Sequence, residues 1–465
     1  MKRLFGTDGM RGEAGVFPLD AETVKTVGRS LARRLGERLG RAPRVVTGRD
    51  TRESGGWIES AFAEGAREAG ARVDAAGVIT TPGVAYLART LPADAGIVVS
   101  ASHNPYRDNG IKIFAPDGRK LDDATERLIE SDIYAAREGG KTVEGVAVGN
   151  GRGVEEGGRS EDVGQSSEAL RSLYLEYLCD EVGAGLSLEG LTVVVDCANG
   201  AACGFAPALL SRLGARVVAI NDSPDGRNIN LDCGSLHTEH LCRRVVEERA
   251  HVGVAFDGDA DRSLFADARG RLVDGDATLW VLAKLMQSRG ALAGDRVVAT
   301  VMSNIGLELA LGSRGVELLR ADVGDKYVLE ELLRTGSALG GEQSGHIIFP
   351  RTSLAGDGMI TTLNLLRAVR EEGRPLEDLT EGFERYPQVL VNVRVREKLP
   401  LDEVGEVARA AEEVRARLEG RGRLLLRYSG TEPLARVMIE GPGLEEIESL
   451  AKNLAEVIRR MLGEG

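Results

Sequence analysis

Three aspartates at alternate positions follow a short apolar segment in the middle of the chain. The segment His251–Ala255 has the composition of a buried strand, and the carboxylates after it are Asp257, Asp259 and Asp261. Carboxylates at this spacing in a loop can converge on one hard cation. An EF-hand would need glycine and glutamate where Arg262 and Ala268 stand, so that motif is excluded. Because no thiolate or imidazole is nearby, Mg2+ is favoured over zinc. The alternative interpretation is an acidic turn whose charges are solvated and bind no metal.

A second chemically suggestive stretch, Ser100–Lys112, follows another apolar run, Ala95–Val99. Three interpretations are open from this stretch alone: a serine nucleophile activated by His103, a serine that carries a group covalently, or a tight turn. Because no GxSxG motif and no third member of a triad are present, a hydrolase is disfavoured. Adjacent side chains of an extended segment point opposite ways, which favours a structural or phosphate-contacting role for His103 over a general base.

The stretch 427–436 offers the groups that a phosphate needs. Guanidinium groups supply paired donors, and a glycine turn supplies backbone N–H groups. The residues are Arg427, Ser429, Gly430, Thr431 and Arg436. The alternative is a β-turn flanked by surface arginines.

A third loop, Gly340–His346, carries donors and acceptors suited to a hydroxyl-rich ligand. These are Glu342, Gln343, Ser344 and His346. A polar turn between strands is an equally good interpretation. The N-terminal turn Phe5–Gly12 adds Arg11 but lacks the ending of a P-loop, and no GxGxxG opens a helix, so nucleotide cofactors are disfavoured.

The bulk composition restricts the partners of the chain. The 465 residues carry a net charge of −13, which argues against binding to nucleic acid or to anionic membranes. The sequence shows no signal peptide and no apolar run long enough to span a bilayer. The five cysteines are odd in number and show no CxxC spacing, which is typical of reduced thiols, so we expect a cytoplasmic protein. The sequence leaves open whether the chain forms a homodimer.

Three strand–helix–strand units must position these loops. Their first strands are Arg44–Gly48, Thr192–Asp196 and Arg296–Thr300, and each is followed by a helical pattern that ends at a glycine. The stretch Glu138–Glu168 is rich in glycine and charge and is interpreted as a linker. Beyond residue 373 the pattern changes to alternating strands and amphipathic helices. We therefore predict three consecutive related α/β domains with mixed sheets and a C-terminal α+β domain, with boundaries at 1–150, 165–258, 259–373 and 374–465.

Together, the metal loop, the phosphate loop, the hydroxyl-binding loop and the serine indicate phosphoryl transfer on a sugar phosphate. The motifs SASHNP, DGDADR, GEQSGH and RYSGTEP, in this order, resemble those of the α-D-phosphohexomutases. In that family they are the phosphoserine loop, the metal loop, the sugar loop and the phosphate loop. The stretches FGTDGMRG and NINLDCGSLH, and Gln343, resemble the members that act on glucosamine phosphates.

The resemblance implies a reaction and a role for each site residue. Glucosamine 6-phosphate and glucosamine 1-phosphate would be interconverted through a bound glucosamine 1,6-bisphosphate, in supply of UDP-N-acetylglucosamine synthesis. Ser102 would be a phosphoserine and, with Asp257, Asp259 and Asp261, a ligand of Mg2+. Lys112 and His346 would exchange protons with the sugar, and Arg11 and Arg262 would contact the reacting phosphate. Sugar and distal phosphate would be bound by Glu342, Gln343, Ser344, Arg427, Ser429, Gly430, Thr431 and Arg436.

Two alternatives stand beside this hypothesis. The same chemistry could act on glucose or mannose phosphates, or the chain could bind sugar phosphates without catalysis. Three residues depart from the family pattern: Ala260 replaces glycine, Lys326 replaces arginine and Tyr428 replaces proline.

Overall fold

The computed structural model describes residues 3–6, 8–139, 166–429 and 432–463. Most of the predicted linker, residues 140–165, lies outside the described residues, as do Gly430 and Thr431 of the predicted phosphate loop. Among the described residues, no helix has both the length and the apolar character needed to cross a bilayer.

The first domain has a six-stranded mixed sheet in the order β1-β2-β6-β5-β3-β4. Its strands are β1 (Phe5–Gly6), β2 (Gly9–Glu13), β3 (Arg44–Arg49), β4 (Arg72–Val78), β5 (Ala95–Val99) and β6 (Asp108–Phe114). Its helices are α1 (Ala21–Leu39), α2 (Gly55–Glu68), α3 (Thr81–Thr90) and α4 (Asp123–Gly139). Strands β3, β4 and β5 are parallel, and β6 is antiparallel to β5.

The second domain has five strands in the order β11-β10-β9-β7-β8. They are β7 (Thr192–Asp196), β8 (Arg216–Ile220), β9 (Val252–Phe256), β10 (Ser263–Asp267) and β11 (Leu272–Val273). The helices are α5 (Ser167–Glu176), which continues into a π-helical turn at Tyr177–Val182, α6 (Ala206–Arg212) and α7 (Glu239–Glu247). Because β10 pairs antiparallel with β9, the sheet continues beyond residue 258, where the sequence prediction ended this domain.

The third domain has four strands in the order β13-β12-β14-β15. They are β12 (Arg296–Thr300), β13 (Glu317–Ala321), β14 (Gly340–Gly341) and β15 (Ile347–Ile348). Its helices are α8 (Gly275–Ser288), α9 (Ile305–Gly312), α10 (Asp325–Thr335), α11 (Gly358–Glu372) and the short α12 (Leu376–Leu379). Strand β12 is parallel to β13 and β14, and β15 is antiparallel to β14.

The fourth domain has an antiparallel sheet in the order β16-β18-β17. Its elements are β16 (Gln388–Arg394), α13 (Gly405–Leu418), β17 (Arg423–Tyr428), β18 (Leu434–Glu440) and α14 (Leu444–Leu462). Apolar side chains of both helices and of the sheet form a core of their own, separate from the large core to which all of the first three domains contribute. The predicted fold class, three mixed α/β domains followed by an α+β domain, is confirmed.

Four strands of each of the first three sheets follow one order, β6-β5-β3-β4, β10-β9-β7-β8 and β15-β14-β12-β13, as related domains would. In each sheet, the first strand of the strand–helix–strand unit has a parallel neighbour on both sides; these first strands are β3, β7 and β12. One of the two neighbours, β5, β9 or β14, is followed along the chain by an antiparallel strand. The connection into that antiparallel strand is β5 to β6, β9 to β10 and β14 to β15. Each of the three connections carries one of the motifs singled out in the sequence.

Candidate active site

The three connections meet where the first three domains come together. The phosphoserine loop follows β5, the metal loop follows β9 and the sugar loop follows β14. Ser102 of the first reaches Asp257 of the second, and Ser263, at the end of the metal loop, donates its N–H to Gly345 of the third. A repeated topology therefore brings together residues that lie far apart in the chain.

Ser102 lies in a constrained backbone conformation. Its φ of 52° is in the left-handed region, which costs a non-glycine residue about 1–2 kcal/mol. Its N–H donates to Ser100 Oγ at 2.9 Å, and Ser100 Oγ in turn donates to Asp50 Oδ2 at 2.6 Å. Ser100 is thus a supporting residue of the loop, and the hydroxyl that faces the site belongs to Ser102.

A buried ion pair beneath the loop holds it in place. Arg52 and Asp50, both fully buried, are joined at 2.9 Å. The Arg52 guanidinium also donates to the carbonyl oxygens of Ser102 and Asn104, each at 2.9 Å, and to that of Pro105. Asn230 donates to the Ser102 carbonyl as well, at 2.9 Å. Sequence analysis missed this support; the charged residues directly after β3 were the available signal.

The aspartate cluster is compact enough to hold one cation. One carboxylate oxygen from each of Asp257, Asp259 and Asp261 lies within 4.8 Å of the others, and all three side chains are buried. Ser102 Oγ donates to Asp257 Oδ2 at 2.6 Å. Asp259 Oδ1 and Asp261 Oδ1 are buried without a hydrogen-bond partner. Buried, unpaired carboxylate oxygens are costly without a cation, so these residues fit a hard metal ion.

Close packing of the backbone brings the metal loop against Ser102. A Cβ added at Gly258 would lie 2.6 Å from the Ser102 carbonyl oxygen, so only glycine allows this approach.

Thr81, at the start of α3, donates its hydroxyl to Asp259 Oδ2 at 2.6 Å. Burial, with the neighbouring Asp261 and Asp259, raises the pKa of Asp257 well above its ordinary value.

Lys112 neutralises part of this negative charge. Its side chain is 1 % exposed, and its Nζ lies 2.8 Å from Asp259, 3.5 Å from Asp261 and 3.3 Å from Asp8. Burial alone would lower the pKa of Lys112, but the three carboxylates outweigh it and raise that pKa. Arg11 lies on the adjacent strand β2 and pairs with Asp8, which ties the N-terminal motif to the site.

His346 enters the site from the sugar loop. Its Nδ1 lies 3.7 Å from Asp261, and its Nε2 is buried without a hydrogen-bond partner. Burial alone would lower the pKa of His346, but Asp261 raises it to about 9. A Cβ at Gly356 would come 2.3 Å from His346 Nε2, so glycine is needed there to admit the ring.

The other sugar-loop residues lie at the same connection. Glu342 accepts from the Gly324 N–H at 3.2 Å and from the Ser344 hydroxyl at 3.4 Å. Gln343 Nε2 is buried without a partner. Arg262 ends the metal loop, its N–H donating to Asp257 Oδ1 at 3.2 Å and its guanidinium lying 3.8 Å from Asp261.

His103 lies on the same side of the loop as Ser102. The distance between Ser102 Oγ and His103 Nδ1 is 3.2 Å, because the backbone at Ser102 is left-handed and not extended. The two side chains therefore do not point opposite ways, as those of an extended segment would. Burial, with the guanidinium groups of Arg262 and Arg11, lowers the pKa of His103 to about 4, which leaves the ring neutral at neutral pH.

The predicted phosphate loop joins β17 to β18 in the fourth domain. Arg427 and Arg436 are directly opposite each other in this pair of strands, and like charges so placed repel unless an anion lies between them. Ser429 Oγ lies 3.4 Å from the Arg436 guanidinium. Among the residues that the structure describes, no hydrogen bond or ion pair joins this loop to the cluster around Ser102.

The three departures from the family pattern have structural consequences of different size. Ala260 has a φ of 56°, a conformation that glycine adopts without strain. Lys326 forms an ion pair with Asp123 at 2.7 Å, between the third and first domains. Tyr428 donates its hydroxyl to the Leu399 carbonyl at 2.6 Å, away from the phosphate-loop arginines.

The chain resembles known proteins along its whole length. It matches domains I, II and III of phosphoglucomutase/phosphomannomutase at residues 2–139, 172–270 and 274–386, and the C-terminal domain at residues 390–457. It is 49% identical to the phosphoglucosamine mutase of Solibacter usitatus over 466 aligned positions, which cover 100% of both chains.

Solved structures share the fold. A phosphoglucomutase/phosphomannomutase family protein from Burkholderia thailandensis is 24% identical with a TM-score of 0.77, covering 99% of this chain and 97% of that one. The N-acetylphosphoglucosamine mutase of Aspergillus fumigatus, solved with GlcNAc-6P and magnesium, is 18% identical with a TM-score of 0.60, covering 98% and 96%. With all four domain models matched in order and a full-length relative at 49% identity, the chain belongs to the phosphoglucomutase/phosphomannomutase family, the α-D-phosphohexomutases.

Proposed function

We propose that this enzyme interconverts glucosamine 6-phosphate and glucosamine 1-phosphate, with Ser102 as the carrier of the phosphoryl group. The observation that carries the proposal is the contact of the Ser102 hydroxyl with Asp257 at 2.6 Å, inside a buried cluster of three aspartates. Full-length relatives named phosphoglucosamine mutase support the choice of substrate.

The proposed reaction has two half-reactions with glucosamine 1,6-bisphosphate between them. In the first, the phosphorus–oxygen bond at Ser102 breaks, a bond to the free sugar hydroxyl forms, and that hydroxyl gives up its proton. In the second, the bond between the other phosphate and the sugar breaks, a bond from that phosphorus to Ser102 Oγ forms, and the proton of the serine hydroxyl is balanced by the proton that the released sugar oxygen takes up. Lys112 and His346 are the groups of the cluster that can exchange the proton with the sugar, since a bound cation would offset the aspartate charge that raises the pKa of both.

A magnesium ion is the cation that the three aspartates and the phosphorylated Ser102 would hold. When bound, it would neutralise charge on the transferring phosphoryl group. Arg262 and Arg11 add fixed positive charge where negative charge develops, and as side chains already in place they need little reorganisation.

The remaining side chains would orient the sugar. Glu342, Gln343 and Ser344 offer hydrogen-bonding groups to its hydroxyl and amino substituents. Arg427, Ser429 and Arg436, together with Gly430 and Thr431 of the same stretch of sequence, would bind the phosphate that is not reacting. Because the bisphosphate must turn round between half-reactions, we propose that the fourth domain, which has its own core, opens and closes over the site.

A mutase assay with three substrates tests the proposal. The purified enzyme, with Mg2+ and the matching bisphosphate, is given glucosamine, glucose or mannose 6-phosphate in turn, and kcat/KM is compared. We expect the highest value with glucosamine 6-phosphate; a higher value with glucose or mannose phosphate would favour the alternative substrate class. Binding without turnover of any of them would favour a sugar-phosphate-binding protein.

The carrier role of Ser102 is tested by mass spectrometry of the intact protein. We expect a fraction of the wild type, and of a Ser344→Ala control, to carry one phosphate that peptide mapping places on Ser102. Ser102→Ala should carry none and should lose nearly all activity. Full activity in that variant, with no phosphate on Ser102 of the wild type, would exclude the mechanism.

A further inference from the structure

Six side chains of alternating charge form a closed ring beside the aspartate cluster. In order, they are Lys112, Asp8, Lys120, Asp325, His346 and Asp261, and we call them the charge ring. Asp8 lies 3.3 Å from Lys112 and 2.5 Å from Lys120. Lys120 lies 2.6 Å from Asp325, whose carboxylate is 3.9 Å from His346 Nε2. His346 Nδ1 and Lys112 Nζ lie 3.7 and 3.5 Å from Asp261, which closes the ring.

The charge ring draws on three domains. Lys112, Lys120 and Asp8 belong to the first domain, Asp261 to the metal loop of the second, and Asp325 and His346 to the third. Only one contact of the ring joins the first domain directly to the third, and that contact is Lys120 with Asp325. Asp325 lies at the start of α10, where the helix dipole stabilises a carboxylate.

Lys120 and Asp325, which have no part in the proposed chemistry, shape the surroundings of Lys112 and His346, which do. Asp8 uses one carboxylate oxygen for Lys112 and the other for Lys120, so the position of Asp8 depends on Lys120. His346 has Asp261 on one side and Asp325 on the other. Loss of Lys120 would leave Asp8 with Lys112 and Arg11 alone among its cations in the described part of the chain and remove the contact that fixes its other oxygen, and loss of Asp325 would remove the carboxylate on one side of the His346 ring.

We propose that Lys120 and Asp325 are positioning residues, which hold Lys112 and His346 beside the metal loop through Asp8 and through the contact between the first and third domains. The inference rests on the proposed function, since Lys112 and His346 affect turnover only if they exchange protons with the substrate. Displacement of a catalytic group by about 1 Å can lower the rate up to about a hundredfold.

A neighbouring ion pair provides a matched control. Lys326 and Asp123 also join the third domain to the first, at 2.7 Å, and both pairs line the same cavity of about 380 Å³. Asp123 is 42% exposed and contacts neither Lys112 nor His346. If Lys120 and Asp325 were only a structural link between the two domains, their loss, like that of Lys326 and Asp123, would leave kcat close to the wild-type value.

The first test compares steady-state kinetics of variants. Lys120→Met and Asp325→Asn should each lower kcat for glucosamine 6-phosphate by about tenfold or more, with KM within about threefold of wild type. Asp123→Asn should keep the wild-type values, and Lys120→Arg, which retains the charge, should recover most of kcat. Because the two residues act as a pair, the double variant should be little slower than either single variant.

The second test measures the exposure of His346 by hydroxyl-radical footprinting, which needs no turnover. Oxidation of His346, 5% exposed in the wild type, should rise about twofold or more in Lys120→Met and Asp325→Asn, and should not rise in Asp123→Asn. Unchanged oxidation, or kinetics equal to those of Asp123→Asn, would overturn the positioning role. If the wild type turned over no hexose phosphate, the proposed function would fail, and footprinting alone would decide the positioning role.

Discussion

The hydroxyl of Ser102 donates a 2.6 Å hydrogen bond to Asp257, 155 positions further along the chain. Ser102 comes from the connection after β5 and Asp257 from the equivalent connection after β9. The contact joins the proposed carrier of the phosphoryl group to the three aspartates that could hold a metal ion. The chemistry at Ser102 and the occupancy of the metal site are therefore expected to change together.

Substitution of Asp257 tests this coupling. Asp257→Asn keeps the size of the side chain but removes one negative charge from the cluster. We expect kcat to fall about a hundredfold or more and the Mg2+ concentration for half-maximal activity to rise about 10–100-fold. Activity measured against Mg2+ after treatment with a chelator gives both values. Asp267→Asn, at a buried aspartate outside the cluster, should keep the wild-type Mg2+ requirement; an equal shift in both variants would contradict the assignment.

The ion pair beneath the phosphoserine loop makes a prediction about stability. Arg52→Met removes one partner of a fully buried pair and takes one hydrogen-bond donor from each of three backbone carbonyls. Such a loss typically costs about 3–5 kcal/mol, so we expect a clearly lower unfolding midpoint in urea together with lower kcat. Arg52→Lys should recover little, because it lacks the planar fork.

A surface pair serves as the control for Arg52. Arg227 and Glu53 are joined at 2.7 Å, with 68% and 45% of their side chains exposed. Arg227→Met should leave the urea midpoint nearly unchanged. Equal midpoints for Arg227→Met and Arg52→Met would show that the buried pair does not stabilise the loop.

Much of the site could be predicted from residue types, because each motif combines groups whose chemistry is recognisable within a few positions. The aspartates, Ser102 and the sugar-loop residues all lie in short loops that carry such a motif. The residues that hold these loops in place could not be predicted in the same way. Arg52 meets the phosphoserine loop only after β3 and β5 pair, and Asp325 meets Lys120 only after the first and third domains pack together. The direction of the His103 side chain could not be predicted either, because it depends on the left-handed φ at Ser102, which the residue types do not show.

A buried carboxyl in the third domain predicts how stability depends on pH. Burial, with the neighbouring Asp274, raises the pKa of Asp276 to about 7, against an ordinary value of 3.8. Between these values the folded chain keeps a proton that the unfolded chain has released. Stability should therefore fall as pH rises from about 4 to about 7, by up to about 1.4 kcal/mol per pH unit from this group.

Thermal unfolding of Asp276→Asn measures that contribution. Its midpoint should fall less than that of the wild type between pH 5 and pH 7.5, because asparagine releases no proton. Glu317→Gln, at a 59% exposed side chain of the same domain, should follow the wild type. A wild-type midpoint that falls no more than that of Asp276→Asn would show that Asp276 is ionised throughout.

Substitution of His103 separates phosphoryl transfer from hydrolase-type activation of Ser102. His103 Nδ1 is within 3.2 Å of the serine hydroxyl, yet that hydroxyl already donates to Asp257 at the shorter distance of 2.6 Å. A serine activated by His103 would lose about 10²–10⁴ of its rate in His103→Asn. For a residue that only contacts the loop or the phosphate, we expect kcat within about tenfold of wild type and unchanged labelling of Ser102 with phosphate. His346→Asn should be much slower than His103→Asn under the same conditions, because His346 contacts Asp261 and exchanges protons in the proposed reaction. The reverse order of the two variants would restore His103 as the base that activates Ser102.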